Sequence, residues 1–384
     1  MAKTLKPCIA MVAGEASGDL LASLVIPGLQ SHWSDVALQG IGGPKMKALG
    51  FDAWWPQEKL AVRGYVEVLR HYREITGIRK SLLHLLLENP PDVFVGVDAP
   101  DFNLDLAFAL KRHGIASMQF VCPSVWAWRA ERLDKIRQSV DHVLCLFPFE
   151  PPLLHRHGID ATYVGHPLAN SIPLSPDKVL ARASLGVAPD QKLVALMPGS
   201  RTSEIAHMTP LFFAASKILE RQYRDVRFVL PVAPGQMQFV QSLQLRFTHP
   251  ENLILLEGRS HTALAAADTA LVASGTATLE AALFKCPMVI AYHMPWLSWQ
   301  IIRRKRLQAW VGLPNILCQD FIVPELLQEQ ATPYALAKAT SNWLENPQLV
   351  ENVKMRFTDL HKQLMQDTSG LVTAAVGKFM PSHA

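Results

Sequence analysis

The chain has 384 residues, which is long for a single hydrophobic core and favours two domains. An apolar content of 49%, a charged content of 18% and a net charge of +4 are typical of a well-packed, mildly basic protein and argue against a dedicated nucleic-acid binder. The five cysteines are scattered and form no Cys-x-x-Cys motif, which argues against a disulfide framework or a zinc site and favours a reducing cytosol.

In the first half of the chain, short β-branched segments alternate with helical patterns. Strands are predicted at 8–13, 92–97, 116–121 and 142–146. This alternation is typical of a parallel, doubly wound α/β sheet. The proline-rich and polar stretch 163–177 then predicts a linker.

The alternation restarts after that stretch, with strands predicted at 192–197, 226–231, 253–256, 269–273 and 287–291. The sequence therefore predicts an α/β protein with two Rossmann-like, doubly wound domains facing a central cleft. We assign residues 1–167 to the first domain and 168–349 to the second, and we expect the C-terminal helices over about 350–384 to pack back on the first. Ligands of open α/β sheets bind beyond the carboxyl ends of the strands, so the loops at those ends are candidate site loops.

The first of these loops is Gly14–Asp19, which lies between a predicted strand and a helical pattern. This layout directs backbone N–H groups and a positive helix end at an anion. The loop matches neither Gly-x-Gly-x-x-Gly nor a Gly-Lys-Ser/Thr loop, and the carboxylate of Glu15 would repel a bare phosphate. It therefore indicates a substrate that offers hydroxyl groups as well as charge.

Asp98 directly follows the strand predicted at 92–97. A carboxylate at the carboxyl end of a strand can face the cleft and act as a general base. The alternative is that Asp98 or Asp101 merely caps the helix that begins near Phe102. The residues alone leave both interpretations open.

Two loops of the second domain are candidates for binding a diphosphate. In the first, Gly199 and Ser200 let the backbone approach an oxyanion and Arg201 can bind phosphate bidentately, the alternative being a turn with a solvated arginine. In the second, over 274–280, small hydroxyl residues at a helix start favour a diphosphate, and Glu280 could reach ribose hydroxyls. The alternative there is a plain N-cap.

The sequence shows no recognisable metal-binding pattern. It lacks Asp-x-Asp and His-Glu-x-x-His, and His155 and His157 have no further ligand nearby in the sequence. The lack of Gly-x-Ser-x-Gly also argues against an α/β-hydrolase. We therefore expect neither a metal nor another cofactor, so Arg201 and helix N-termini would stabilise a diphosphate leaving group.

The segment 294–310 combines Trp296 and Trp299 with the basic residues Arg303, Arg304, Lys305 and Arg306. Interfacial tryptophans beside basic side chains are typical of a protein resting on anionic lipid. A core helix with a solvated basic face is the alternative, and an RNA-binding patch is disfavoured because the aromatic residues are not interleaved for stacking. No apolar stretch approaches the roughly 20 residues of a spanning helix, so we expect the chain on the cytoplasmic side.

These motifs together resemble those of the bacterial lipid-A-disaccharide synthase family. The matching segments run in order through most of the chain: Gly14–Asp19, Gly40–Gly43, Asp98–Asn103, Pro123–Arg129, Gly165–Pro167, Pro198–Arg201, Ser274–Glu280, Leu313–Asn315 and Val323–Gln328. The resemblance implies a GT-B fold and an inverting, metal-independent glycosyltransferase. It would move 2,3-diacylglucosamine from UDP-2,3-diacylglucosamine to lipid X (2,3-diacylglucosamine 1-phosphate), giving lipid A disaccharide 1-phosphate and UDP.

The same resemblance implies roles for individual residues. Asp98 would take the proton of the acceptor 6-hydroxyl, Arg201 would neutralise the departing diphosphate, and Glu15 would line the catalytic cleft. The first domain would hold the acceptor and the second the UDP-sugar. The expected UDP-binding residues are Ser17, Gly199, Ser200, Arg201, Ser274, Gly275, Thr276, Ala277, Thr278, Glu280 and Asn315.

The implied partners are the two lipid-linked sugars, the anionic cytoplasmic face of the inner membrane, and a second copy of the chain that exchanges C-terminal segments. No nucleic-acid partner is expected. Two other functions remain open. A UDP-N-acetylglucosamine 2-epimerase would share the fold and UDP binding without needing the tryptophan-rich basic surface. A non-catalytic membrane scaffold would not need Asp98, Arg201 and Glu280.

Overall fold

The computed structural model of the chain describes residues 6–60, 65–127, 130–293 and 308–380. The backbone separates into two units. The first comprises Met1–Asn170 with Leu364–Ala384, and the second comprises Ser171–Gln363. Each unit has its own parallel β-sheet, which confirms the predicted fold class.

Seven parallel strands form the sheet of the first unit within the described residues. They are β1 (Cys8–Ala13), β2 (Ala37–Gly42), β3 (Asp52–Pro56), β4 (Val93–Val97), β5 (Ala116–Phe120), β6 (His142–Cys145) and β7 (Ala161–Tyr163). Their order across the sheet is β3-β2-β1-β4-β5-β6-β7. The strand order therefore reverses between β1 and β4, which makes this pair a topological switch point.

The helices of the first unit follow the strands along the chain. They are α1 (Ala16–His32), α2 (Pro44–Lys47), α3 (Tyr65–Glu88), α4 (Pro100–Arg112), α5 (Arg132–Ser139), α6 (Glu150–His155) and α7 (Pro167–Ser171), with a short 3₁₀ helix at Gln57–Lys59.

The core of the first unit lies around β4, whose five residues are all buried. A strand that is covered on both faces must be apolar throughout, and this explains its uninterrupted Val-Phe-Val-Gly-Val sequence. Phe94 shares one hydrophobic cluster with Leu82 and Leu86 of α3 and with Leu106 and Leu110 of α4. Each such fully buried side chain contributes about 1.5–3 kcal/mol to folding.

The second unit repeats this architecture with six parallel strands among the described residues. They are β8 (Leu193–Met197), β9 (Arg227–Val232), β10 (Leu253–Glu257), β11 (Thr269–Ala273), β12 (Met288–Tyr292) and β13 (Glu325–Leu327). Their order is β10-β9-β8-β11-β12-β13, so the switch point lies between β8 and β11.

The helices of the second unit alternate with those strands. They are α8 (Lys178–Ala183), α9 (Thr202–Gln222), α10 (Met237–Arg246), α11 (Ser260–Ala266), α12 (Ala277–Leu283), α13 (Leu313–Cys318), α14 (Pro333–Glu345) and α15 (Pro347–Leu364), with a 3₁₀ helix at Gln328–Gln330.

The last described helix, α16 (Thr368–Gly377), belongs to the first unit and packs on α1. The Ser369 hydroxyl donates to the Val25 carbonyl at 3.4 Å. A Cβ added at Gly28 of α1 would lie 2.1 Å from Ser369 Oγ, so glycine makes this close approach possible. The chain returns to the first unit at Leu364, and residues 350–363, grouped with the C-terminal helices in the sequence analysis, lie in the second unit.

The structure also shortens the predicted linker. Tyr163 ends β7 and α7 spans Pro167–Ser171, so the parts of the stretch without a regular helix or strand are 164–166 and 172–177. The prediction of a continuous linker over 163–177 is therefore wrong for 167–171. Proline at the first position of a helix is favourable, so proline content alone does not identify a linker.

Candidate active site

In the first unit, the candidate residues lie at the switch point between β1 and β4. Ala13, the last residue of β1, pairs with Val97, the last residue of β4. The loops that follow these strands are therefore neighbours, and the Ser17 hydroxyl donates to Asp98 Oδ2 at 3.2 Å. The structure thus joins two residues that are 81 positions apart in the chain.

The turn after β4 has an unusual backbone conformation. Asp98 has a φ of 54° and Ala99 a φ of 40°, so two consecutive residues with side chains occupy the left-handed region. Each costs about 1–3 kcal/mol and persists only where the surroundings determine it. Such conformations cluster at functional sites, which supports Asp98 as a candidate.

Burial raises the pKa of the Asp98 carboxyl above its ordinary value. The Ser17 hydroxyl and the Ala99 N–H both donate to this carboxyl and oppose the rise. A carboxylate with a raised pKa is a stronger base than an exposed one and remains available near neutral pH. The geometry therefore suits proton abstraction.

Two further residues of the Gly14–Asp19 segment, Glu15 and Asp19, are placed differently. Glu15 is partly exposed and is the N-cap residue of α1, although its side chain makes no capping hydrogen bond. Asp19 is instead buried and accepts the N–H groups of Gly43, Lys45 and Met46 at 2.9–3.0 Å. Asp19 thus ties the first loop to the start of α2, a supporting role that the sequence pattern did not indicate.

In the second unit, the loops that follow β8 and β11 also meet at a switch point. Met197 of β8 pairs with Val272 of β11. Next to this pair lies a pocket of about 490 Å³. It is lined by eight of the predicted UDP-binding residues: Gly199, Ser200, Arg201, Ser274, Gly275, Thr276, Ala277 and Glu280.

Glu204 organises the arginine side of this pocket. Its carboxylate lies 2.7 Å from Arg201 Nη1 and accepts the Ser200 N–H at 3.3 Å. Gly199 has a φ of 111°, and a Cβ there would lie 2.5 Å from Glu204 Oε2, so this position requires glycine. The Arg201 side chain is 48% exposed and retains further N–H donors, because a guanidinium carries five.

Three predicted UDP-binding residues lie elsewhere. Ser17 is in the first unit beside Asp98. Thr278 is buried, and its hydroxyl donates to the Gly275 carbonyl at 2.8 Å. Asn315 is also buried; its amide donates to Val323 and Glu325 and accepts the N–H groups of Ile322 and Val323. Thr278 thus fixes the turn at Gly275, which lines the pocket, whereas Asn315 fixes the loop over 322–325, which does not line it.

Other pocket residues were not predicted from the sequence. They are Met197, Glu204, Pro231, Val232, Ala233, Pro234, Gly258, Ser260, Ala273 and Tyr292. Several of them follow β9 and β10, whose strands were predicted, so the rule that ligands bind at the carboxyl ends of strands could have indicated them. The same rule could have indicated Tyr292, which directly follows the strand predicted at 287–291, whereas the contact of Glu204 with the pocket could be recognised only from the three-dimensional structure.

One group of side chains with metal-binding chemistry occurs within the described ranges. Cys122, Cys145 and Glu150 are buried, and their ligand atoms lie within 4.8 Å of one another. The Glu150 carboxyl accepts Trp126 Nε1–H at 2.9 Å and the Phe147 N–H at 3.0 Å, and burial raises its pKa to about 8. These bonds identify Glu150 as an anchor for the loop that contains Trp126.

The predicted lipid-contact residues Trp296, Trp299, Arg303, Arg304, Lys305 and Arg306 lie outside the described residues. Within the part of the chain that is described, no helix has the length and apolar character needed to cross a membrane.

The chain is similar over nearly its whole length to lipid-A-disaccharide synthases. A family model described as lipid-A-disaccharide synthetase matches residues 9–376. A lipid-A-disaccharide synthase of Albidiferax ferrireducens is 55% identical over 373 residues, which cover 96% of each chain.

Similar solved structures confirm the GT-B fold. A UDP-GlcNAc 2-epimerase of Neisseria meningitidis bound to UDP-GlcNAc matches with a TM-score of 0.63 at 13% identity, covering 97% of this chain and 98% of that one. MurG of Acinetobacter baumannii matches with a TM-score of 0.56 at 17% identity, covering 97% and 100%. Identities this low support the fold and carry no information about substrate.

Proposed function

Because the chain belongs to the lipid-A-disaccharide synthetase family, it is a glycosyltransferase, and we propose that it joins two 2,3-diacylglucosamine units. The donor is UDP-2,3-diacylglucosamine and the acceptor is lipid X. The products are the β-1,6-linked lipid A disaccharide 1-phosphate and UDP. The observation that carries this proposal is the pairing of Ser17 with Asp98 at a strand switch point, which supplies a buried base for a sugar hydroxyl.

In the proposed mechanism, the Asp98 carboxylate removes the proton of the acceptor 6-hydroxyl. The resulting oxygen nucleophile attacks the donor anomeric carbon on the face opposite the diphosphate. A carbon–oxygen bond to the acceptor forms as the bond to the diphosphate breaks, so the configuration inverts and UDP leaves. A positioned general base contributes about 10²–10⁴-fold to a rate.

The second unit would hold UDP in its switch-point pocket. Arg201 can give the diphosphate two charge-assisted hydrogen bonds while it remains paired with Glu204. Gly199, Ser200 and the residues 274–277 line the same pocket with small side chains, which lets the backbone approach phosphate oxygens. Glu280 lines it as well and can accept hydrogen bonds from ribose hydroxyls. Thr278 would support UDP binding through its hydrogen bond to the Gly275 carbonyl, and Asn315 would do so by fixing the loop over 322–325.

The acceptor and the membrane complete the proposal. Glu15 is the N-cap residue of α1, whose first turn carries Ser17, and we assign Glu15 to the acceptor hydroxyls. The segment 294–310, with its tryptophans and basic run, would rest on the anionic cytoplasmic face of the inner membrane, where both substrates are anchored by their acyl chains. A homodimer with exchanged C-terminal segments is part of the same proposal.

A reaction of purified protein with UDP-2,3-diacylglucosamine and lipid X in detergent micelles tests the proposal. We expect equimolar UDP and disaccharide 1-phosphate, and proton NMR of the new linkage should show the β configuration. An epimerase would release UDP or an epimerised sugar without any disaccharide, and a scaffold would consume neither substrate. Either of those results would contradict the proposed function.

A further inference from the structure

Two buried amide side chains converge on the backbone of Asp98. We propose that Asn103 and Gln119 are positioning residues that clamp the Asp98 carbonyl and so hold its carboxyl against Ser17. The inference rests on the proposed function in one respect, namely that Asp98 is the base. The clamp itself is a claim about the backbone and can be tested without substrate.

The two amides reach the carbonyl from different elements. Asn103 Nδ2, on α4, donates to the Asp98 carbonyl oxygen at 2.8 Å. Gln119 Nε2, on β5, donates to the same oxygen at 3.0 Å. A carbonyl oxygen has two lone pairs, so these donors saturate it. The Asp98 N–H donates to the Phe120 carbonyl at 2.9 Å, which fixes the other side of the residue.

The NH₂ groups of Asn103 and Gln119 are surrounded by further backbone carbonyl oxygens, which can only accept hydrogen bonds. Asn103 Nδ2 also lies 3.2 Å from the Val12 carbonyl oxygen and 3.4 Å from that of Val97. Gln119 Nε2 lies 3.3 Å from the carbonyl oxygens of both Phe120 and Val121. Among the described residues, every hydrogen-bond partner of these two NH₂ groups is therefore a backbone carbonyl at the end of a central strand or in the turn after it.

The amide oxygens show that these residues serve as donors. Asn103 Oδ1 and Gln119 Oε1 are buried and have no hydrogen-bond partner among the residues that the structure describes. Burying an unpartnered oxygen is unfavourable, and an apolar side chain of similar size would avoid it. Two such oxygens at one turn indicate that their NH₂ groups are what the turn requires.

Gly96 makes room for the clamp. A Cβ at this position of β4 would lie 2.7 Å from Asn103 Cβ and 3.0 Å from Gln119 Oε1. Glycine inside a strand weakens it and marks a close approach by another group. Gly96 of β4, Asn103 of α4 and Gln119 of β5 thus surround the turn. Within that turn, Asp98 and Ala99 both have left-handed backbone conformations.

Removing one donor tests the clamp. Gln119→Met keeps the side-chain volume but lacks the NH₂ group, and Asn103→Leu does the same from α4 if the first variant folds poorly. Because misplacing a reacting group can cost about 10²-fold, we expect kcat to fall about 10–100-fold with the donor KM little changed. The matched control is Ser117→Ala, which removes a buried hydroxyl on the same strand that donates only to Ala107 and Ile115, and should keep nearly the wild-type kcat.

A double-mutant cycle separates positioning from a general loss of structure. In an Asp98→Asn background, Gln119→Met should cause no further loss of residual turnover, because it acts through the Asp98 carboxyl. An equal loss in both backgrounds would overturn the proposal. If Asp98→Asn kept wild-type turnover, the proposed role of Asp98 would fail instead.

Amide hydrogen exchange gives the readout that needs no activity. Gln119→Met should increase exchange across 98–103 while Ser117→Ala should not. Unchanged exchange at those residues in the Gln119→Met variant would contradict the clamp whatever the activity assays show.

Discussion

Asp98 combines three features: a left-handed backbone conformation, a buried carboxyl with a raised pKa, and a hydrogen bond to that carboxyl from the Ser17 hydroxyl of α1. Burial favours the protonated acid, and Ser17 favours the ionised base. The balance between these opposing effects sets the pH at which the carboxylate can accept a proton.

The pH dependence of catalysis follows from that balance. Activity requires ionised Asp98, so kcat/KM should fall as the pH drops through its raised pKa. Ser17→Ala removes a donor that lowers this pKa, so the acid limb of the profile should move to higher pH. The pH profile of kcat/KM measures this shift. Ser23→Ala, on the same helix with its hydroxyl on the Leu20 carbonyl, should leave the limb in place, and movement to lower pH in Ser17→Ala would contradict the account of Asp98.

For individual residues, the sequence predicted the site residues in the loops after strands. It did not predict the residues that hold those loops in place. Asp98 is visible as a polar residue directly after an apolar run, and Arg201 as a basic residue in the short loop that follows another. Asp19, Asn103 and Gln119 act through contacts between elements that lie far apart in the chain, and no local pattern shows such contacts. For Asn315 the sequence motif predicted a UDP contact. In the structure its amide instead makes hydrogen bonds to the neighbouring backbone and to Glu325.

At the scale of elements, both candidate sites depend on where the strand order reverses. Alternating strands and helices predicted the sheets, because buried parallel strands are uniformly apolar. The alternation did not give the strand order, so it could not show that β1 lies beside β4 or β8 beside β11. It also missed β2, which contains two glycines, the edge strand β3, and the three-residue edge strands β7 and β13.

From the packing of α16 on α1 we predict how replacing Gly28 changes the free energy of unfolding. Gly28→Ala forces a Cβ against Ser369 and should lower the free energy of unfolding by about 1–3 kcal/mol, as overpacking does. Gly77→Ala is the matched control, because it lies inside α3 with nothing within 4 Å of its added Cβ. It should raise stability by up to about 1 kcal/mol through helix propensity. Urea denaturation measures both, and equal effects would contradict the close helix contact.

At the scale of the whole molecule, the two units carry separable tasks. The first holds the proposed base, and the second holds the proposed nucleotide pocket. Binding of UDP should therefore depend on residues of the second unit, whereas turnover should depend on residues of both.

Arg201→Ala should weaken UDP binding about 10–100-fold, because it removes charge-assisted hydrogen bonds worth about 1.5–3 kcal/mol. Isothermal titration with UDP measures this loss. Arg201 is the N-cap residue of α9, and the control is Arg221→Ala, an exposed position in the last turn of that helix, which should bind UDP as the wild type does. Equal affinity in Arg201→Ala and wild type would remove Arg201 from the nucleotide site.

The most direct measurement is the single-turnover rate of disaccharide formation by Asp98→Ala, taken together with its affinity for UDP. We predict a rate that is lower by about 10²–10⁴-fold, with UDP affinity and folding unchanged. Asp101→Asn, an exposed carboxylate three residues along, should keep nearly the wild-type rate. A rate close to wild type in Asp98→Ala would contradict the assignment of Asp98 as the base.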